Sequence, residues 1–302
     1  MQFLKYRKIY FFFSGILILA SLACLIIYGL NFGIEFKGGS VLEVEYQGDR
    51  PSTTLIREKI NSFGWREYSV RQSGESEIIL SVGENNISQK LCDEVILKLE
   101  ELGEIKKDPQ PSFEAISSVV GKELTEKTGL IVVFSLLVII FYVAFAFRKV
   151  SQPVSSWRYG IATLIALFHD VLIPLATFSL LGKFYGIQIT IPIITALLTV
   201  FGYSVNNTVV VFDRIRENLL KKSNLTFEET VNDSLNQTLT RSINTSLTTL
   251  FVLAAIFFFG GVTLKYFALA LIIGIFAGTY SSLFLVSPIL VSWQQWRDRK
   301  KA

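Results

Sequence analysis

Hydrophobic and polar positions alternate along this chain on two scales. At the coarse scale, six apolar stretches, 9–30, 129–147, 159–181, 186–211, 243–264 and 266–291, are separated by polar segments. A helix needs about 20 apolar residues to cross a bilayer core, so each stretch predicts a transmembrane helix. At the finer scale, the segment between the first two stretches changes its period. "SVLEVEYQ" (40–47) alternates like a half-buried strand, and "REYSVRQ" (66–72) and "EIILSV" (77–82) predict two more. "TTLIREKINSFG" (53–64) and "ISQKLCDEVILKLEELG" (87–103) place apolar residues at helical spacing and stop at glycine. The order is β-α-β-β-α, and a last strand near 104–108 would complete a ferredoxin-like α+β sandwich. "PSFEAISSVVGKELTEKT" (111–128), after Pro109 and Pro111, predicts a helix running into the second span.

Charge orients this pattern. Lys5, Arg7 and Lys8 precede the first span, and Arg148, Lys149 and Arg158 follow the second. Arg214, Arg216, Lys221, Lys222 and Arg241 gather between the fourth and fifth, and Arg297, Arg299, Lys300 and Lys301 close the chain. The two short loops of opposite parity carry only Lys183 and Lys265. The positive-inside rule then puts both termini in the cytoplasm, as an even number of spans requires, and residues 31–128 outside. The expected division is 1–30 (cytoplasmic N-terminus and first span), 31–128 (extracytoplasmic domain and linker helix), 129–296 (five-helix bundle) and 297–302 (cytoplasmic tail). The basic start and "SLAC" at 21–24 have the look of a leader, but the apolar run continues to Leu30, and the first span is read as a retained anchor.

Composition agrees with a polytopic membrane protein: 51% of the 302 residues are hydrophobic. The net charge of +4 is small, and no basic patch is interleaved with aromatics in the nucleic-acid manner. Cys24 lies in an apolar run and Cys92 in an amphipathic segment, so a disulfide is not expected. One histidine and no CxxC leave no basis for a metal site. No GxxxxGK[ST] loop or nucleophile triad spacing is present, so neither a cofactor nor an enzyme activity is expected.

The candidate chemistry lies in polar residues inside apolar spans. A charge at the bilayer centre costs at least roughly 2.5–3.5 kcal/mol, so it requires a partner or a purpose. "LFHDVLIP" puts His169 and Asp170 near the middle of the third span. Two readings stand: the pair relays protons, or Asp170 satisfies backbone groups loosened by Pro174 or bonds a neighbouring helix. In the fourth span, Gly202 and Ser204 allow close helix contact, across which Asn206 and Asn207 could bond. Asp213 with Arg214 and Arg216 reads as a solvated interfacial cluster. "SLNQTLTRSINTSLTTL" (234–250) carries Gln237, Arg241, Thr245 and Thr249 at spacing four, and Asn236, Thr240, Asn244 and Thr248 likewise. Together they form a polar stripe expected to face the bundle interior, with Arg241 partnered by the fourth span.

These segments, in order and on the expected spans, resemble the SecD/SecF family of the bacterial Sec protein-export system, in the resistance-nodulation-division superfamily. "FGIEFKGGS" (32–40), with Gly33, Glu35, Gly38 and Gly39, is similar to the family's GIDFxGG motif. "LFHDV" is similar to its third-span motif, "GYSVNNTVVVFDRIREN" to GYSxNDTxVVxDRIREN, and "LNQTLTRSINTSLTTL" to its fifth-span motif. The likeness covers nearly the whole chain and is of the SecF type. It implies an RND-type half of six helices in the cytoplasmic membrane, pseudo-symmetric with a SecD partner. It further implies proton-driven movement of the outer domains that completes preprotein translocation after SecA and the SecYEG channel. YajC and YidC are further candidate partners. The family's proton path uses an aspartate of SecD, the aspartate of the fourth-span ND pair and the fifth-span arginine, here Arg241.

Asn207 stands where that aspartate is expected, and an amide cannot exchange a proton near neutral pH. Three explanations are open: coupling through the SecD aspartate with Arg241 alone, a non-coupled structural or holdase partner, or an Asp→Asn substitution trapping one state. His169–Asp170 is the nearest spare titratable pair. Sodium in place of the proton is a further option. A small-molecule exporter of the same superfamily is disfavoured by six spans and one outer domain.

Overall fold

A computed structural model describes residues 1–65, 68–74, 76–83, 89–108, 110–147, 154–221 and 224–301. Arg66, Glu67, Ile87, Ser88, Pro109, Arg148, Lys149 and Lys222, which entered the readings above, lie outside them. The chain divides into two compact units: 1–30 with 131–185 and 192–302, and 31–130 with 186–191.

The first unit is helical. Among the described residues, six helices are long and apolar enough to cross a membrane. They are α1 (Arg7–Tyr28), α5 (Ser118–Ala146), α6 (Ser156–Tyr185), α7 (Ile191–Leu220), α8 (Phe227–Phe259) and a sixth made of α9 (Val262–Ser281), a π-helical turn (Ser282–Val286) and α10 (Ser287–Lys301). Each boundary has a local cause. Gly29 ends α1 at φ 66°, its N–H returning to the Leu25 carbonyl at 3.0 Å. Thr226 starts α8 with a capping box: its Oγ1 accepts the Glu229 N–H at 3.3 Å, and the Glu229 carboxylate accepts the Thr226 N–H at 2.8 Å. The break between the fifth and sixth helices falls at Gly260–Gly261, earlier than the Lys265 boundary read from the sequence, because the fifth helix begins at Phe227 and ends where two glycines meet.

Helix α1 packs on α6, α6 on α9, and α8 on α9. Ser179 of α6 donates to the carbonyls of Cys24 (3.2 Å) and Gly29 (2.6 Å), tying α1 at one end. Arg7 donates to Glu228 at 3.3 Å and Gln295 at 2.9 Å, and Gln295 donates to Glu228 at 2.6 Å, tying α1, α8 and α10 at the other. Where the end of α5 meets α6 and α7, Phe147, Tyr159 and Phe212 form an aromatic cluster with centroids 4.8–5.6 Å apart. Centroids at that spacing with near-perpendicular or offset planes favour attraction beyond burial alone.

The second unit is the α+β domain. Strands β1 (Gly39–Glu45), β2 (Tyr68–Ser73), β3 (Glu77–Val82) and β4 (Ser112–Ile116) form one antiparallel sheet in the order β2-β3-β1-β4. With α3 (Thr53–Asn61) and α4 (Gln89–Glu100), the chain order is βαββαβ, the split-βαβ arrangement. A four-residue turn, α2 (Ile34–Lys37), precedes β1. Alternation places Leu42, Val44, Val70, Ile78, Leu80 and Val82 against Ile56 and Ile60 of α3 and Cys92, Val95 and Leu99 of α4. Both cysteines are free, and burial pushes the Cys92 thiol up to about 11.

The last strand departs from the sequence reading. It lies at Ser112–Ile116, where a helix was expected, and around 104–108 there is only a bridge from Ile105 to Tyr46. Phe113 opposes Leu42 and packs on the core, which outweighs the weak helical pattern of 111–116. The following helix starts at Ser118, with Ser117 Oγ accepting the Val120 N–H at 3.4 Å.

Candidate functional site

Three places bring the polar residues of interest into defined geometry. The first is a junction of α6, α7 and α9. Small residues permit it: a Cβ on Gly274 would fall 2.2 Å from Val200 Cγ2, and one on Gly278 would fall 3.3 Å from Ser204 Cβ and 3.4 Å from Asp170 Oδ2. Gly274 and Gly278 form a GxxxG pair, the spacing that lets two helix backbones approach in a bilayer. Into this contact α6 projects Asp170, with 0% of its surface exposed. Its Oδ2 accepts from Ser204 Oγ at 2.5 Å and from Ser281 Oγ at 2.7 Å, and its Oδ1 lies 2.9 Å from His169 Nδ1. Asp170 therefore bonds two neighbouring helices, and the loosened backbone at Pro174 does not take its side chain. His169 and Asp170, though about 100° apart around the helix, meet because the imidazole folds back. The close approach uses Ser204 and not Gly202, which faces open space. The π-helical turn begins one residue after Ser281. Such turns commonly mark functional positions in helices. Ser204 entered the sequence reading as a small residue of close helix contact; Ser281 and the GxxxG pair did not, although the spacing was there to be read.

The second place is α8. Its buried face is a hydroxyl series at spacing four: Thr230, Ser234, Thr238, Ser242 and Ser246. Ser246 lies 2.7 Å from Thr279 of α9. The longer polar residues point elsewhere. Gln237, Thr240, Arg241, Asn244, Thr245 and Thr248 are exposed, and the Arg241 guanidinium has no hydrogen-bond or ion-pair partner among the described residues. The expectation that this stripe faces the interior of this bundle, with Arg241 held by the fourth span, is thus corrected. Small hydroxyls let helices pack closely, and the bulky polar side chains are left on the opposite face. Of the amide pair, Asn206 is exposed, while Asn207 is 3% exposed with a buried Nδ2 lacking a partner among the described residues. At the end of α7, Asp213 pairs with Arg216 at 3.4 Å and Arg214 with Glu217 at 2.5 Å, all partly exposed, as expected for a solvated cluster. Arg214 also reaches Gln237 of α8, and Asn218 reaches Ser234 at 2.9 Å.

The third is the double-glycine segment of the α+β unit. Gly38 and Gly39 hold φ 81° and 134°, which L side chains rarely adopt, and a Cβ on Gly39 would fall 2.5 Å from the Val82 carbonyl. A Cβ on Gly121 would fall 2.8 Å from the Phe36 carbonyl. Gly33 donates its N–H to the Ile189 carbonyl at 2.8 Å, and a Cβ there would overlap Glu35 Oε2. Burial raises the Glu35 carboxyl above its ordinary value, with Arg71 acting against the shift. These glycines are a packing requirement of the domain.

Comparison with known proteins identifies the arrangement. The family description "Protein export membrane protein SecD/SecF, C-terminal" matches residues 98–296, and "SecD/SecF GG Motif" matches 25–49. The protein translocase subunit SecF of Thermobaculum terrenum is 40% identical over 299 residues, covering 96% of this chain and 93% of that one. SecDF of Thermus thermophilus is 37% identical over 301 residues; this chain spans 38% of it. The crystal structure of a SecDF from Thermus thermophilus, described as a translocon-associated membrane protein, superposes with a TM-score of 0.84 at 33% identity, covering 98% of this chain and 39% of that one. A SecDF in its super-membrane-facing form gives 0.70 at 31% identity. By its motifs, its six helices and these matches over nearly its full length, the chain belongs to the SecD/SecF family of membrane-embedded protein translocase subunits.

Proposed function

We propose that this chain is the SecF-type half of a SecD-containing complex in the cytoplasmic membrane. With SecD it uses the proton gradient to complete preprotein translocation after SecA and SecYEG. Both termini are cytoplasmic and the α+β unit is extracytoplasmic. The observation that carries the reading is the exposed polar face of α8. Arg241, Asn244 and Thr248 cannot face hydrocarbon without free-energy cost, so in a bilayer a second polar surface covers them. The SecDF relative, of which this chain spans 38%, supports a SecD half as the cover. Arg241 then takes its anionic partner from SecD, and Asn207 contributes a hydrogen-bonding amide and no proton.

Asn207 supports a second reading, in which the chain is a non-coupled structural or holdase partner of SecD. Export of a secreted reporter from cells depleted of their own SecF separates the two. This chain is supplied with its own SecD, beside Arg241→Ala and Asn207→Asp versions, with the gradient intact and collapsed. The coupled reading expects a gradient-dependent increment that Arg241→Ala removes. An increment seen only with Asn207→Asp selects the second reading.

A further inference from the structure

The missing fourth-span acid has a neighbour at the same junction. We infer that Asp170 is a reversible proton-binding site of this half, with Ser204 and Ser281 as the groups that accommodate both of its charge states. The inference rests on the gradient-coupled reading above and assigns the coupling proton a place that the 207 position no longer offers.

Geometry carries it. A carboxylate with no exposed surface, at the centre of an apolar bundle, is held by two hydroxyl donors and one imidazole. An anion so supplied is stable, which accounts for the unloaded state. The loaded state is provided for as well. Ser281 Oγ also lies 3.2 Å from the Gly278 carbonyl, so its single proton has two acceptors within reach. When a proton from water forms an O–H bond on Oδ2, the carboxylic acid donates to Ser281 Oγ, and Ser281 turns its own O–H to Gly278. His169 Nδ1–H stays on Oδ1 in both states. No hydrogen bond is left unmade, so loading and release cost no buried orphan group.

Further buried polar atoms follow on α7. Asn207 Nδ2 and Thr208 Oγ1 follow Ser204 at the i+3 and i+4 positions, on the same helix face. Both are buried without a partner among the described residues, as is His169 Nε2. Polar atoms of this kind inside a bundle are where internal water binds.

Other ionisable groups stand apart. From α9, Tyr280 lies with its ring 5.9 Å from His169, its hydroxyl 3.2 Å from Ser14 and 3.3 Å from the Tyr10 carbonyl of α1. Tyr203 is the titratable residue beside Ser204 on α7, and Tyr10 and Cys24 are those of α1 along its packed length. Along their helices, Asp213 and Arg214 are about 14 Å, Arg158 about 18 Å and Arg297 and Asp298 about 24 Å from this level. On α8, Arg241 stands five residues, about 8 Å along its helix, from Ser246, which meets Thr279 of α9; Lys183 of α6 and Lys265 of α9 stand about 20 Å and about 24 Å from Asp170 and Ser281 along theirs.

Infrared difference spectroscopy on the full chain, co-purified with SecD in lipid, tests this directly. The expected result is a protonated-carboxyl band that grows as pH falls, disappears in Asp170→Asn, and keeps its position when potassium replaces sodium. Ser281→Ala, which removes one donor to the anion, should shift the midpoint of that band to higher pH. A band unchanged by Asp170→Asn, a midpoint unmoved by Ser281→Ala, or a midpoint that follows sodium would each overturn the assignment. Should Asp170→Asn fail to accumulate, the Ser281→Ala shift decides alone. The same variants enter the export assay. Wild-type chain without a gradient-dependent increment refutes the coupled reading itself; an increment that persists at full size in Asp170→Asn refutes only the proton site.

Discussion

The α6–α7–α9 junction and the outer face of α8 are both polar surfaces within apolar spans, and they treat their polar atoms in opposite ways. At the junction every oxygen of Asp170 is engaged inside the chain, and the backbones approach through Gly274 and Gly278. On α8 the larger side chains, Arg241 and Asn244 among them, face outward. The first surface is closed by the chain that carries it; the second requires another chain. A polar residue in a membrane span therefore says that a partner exists, and only packing says whether that partner is internal.

The comparison breaks most visibly at Asp170. Asp170→Ala leaves the Ser204 hydroxyl and the His169 imidazole buried without their acceptor, while Ser281 keeps the Gly278 carbonyl, a loss on the order of 1–3 kcal/mol for each orphaned group, read as a fall in the thermal midpoint of the detergent-purified chain. An unchanged midpoint would mean that the junction opens to water and is not the closed surface described here. Gly274→Leu tests the same place through shape. Its side chain meets Val200, and overpacking should cost about 1–3 kcal/mol by the same measurement. Arg241→Leu should do the reverse: a change within about 0.5 kcal/mol in the isolated chain, since nothing described holds the guanidinium, with loss of co-purifying SecD. Retained SecD would show that α8 is not the contact.

In the α+β unit, the helix-free face of the sheet offers a milder version of the contrast. Burial, then the neighbouring Glu77 and Glu114 carboxylates, raise the Glu43 carboxyl above 4.5. Because the folded value lies above the unfolded one, Glu43 binds its proton more tightly in the folded domain. Its unfavourable contribution at neutral pH is relieved as pH falls through the raised value towards 4.5. Glu45, lowered by its bond to Lys106, works oppositely and weakens the fold only below its ordinary range. Hydrogen exchange at β1 and β3 in the full chain should slow modestly on mild acidification, and Glu43→Gln should remove that response.

Six apolar stretches and a β-α-β-β-α period carried most of the architecture, because burial in lipid or against a sheet imposes its period on the residues. The fourth strand escaped notice because its evidence is a ladder of five long-range pairs with β1, Phe113 opposite Leu42 among them, which no local pattern contains. On α8, two polar series at spacing four were legible and a third, Thr230 to Ser246, was passed over because small hydroxyls are less conspicuous than amides and arginine. That third series is the one that packs. The partners of Asp170 come from two other helices, 34 and 111 residues away in sequence. Residue types alone could suggest that it was held, and only the fold shows by what.

The π-helical turn at Ser282–Val286 has a consequence for how the sixth span can vary. An α-helix advances about 100° per residue, so the one extra residue accommodated by a wider turn offsets everything after it by that angle. The span is in effect written in two phases: Gly274, Gly278 and Ser281 are legible in one, Gln295 with its bonds to Arg7 and Glu228 in the other. Deleting a single residue there would leave the Asp170 contacts in phase and swing Gln295 off its neighbours. Insertions and deletions in this helix are thus constrained at one point more tightly than its uniformly apolar composition suggests.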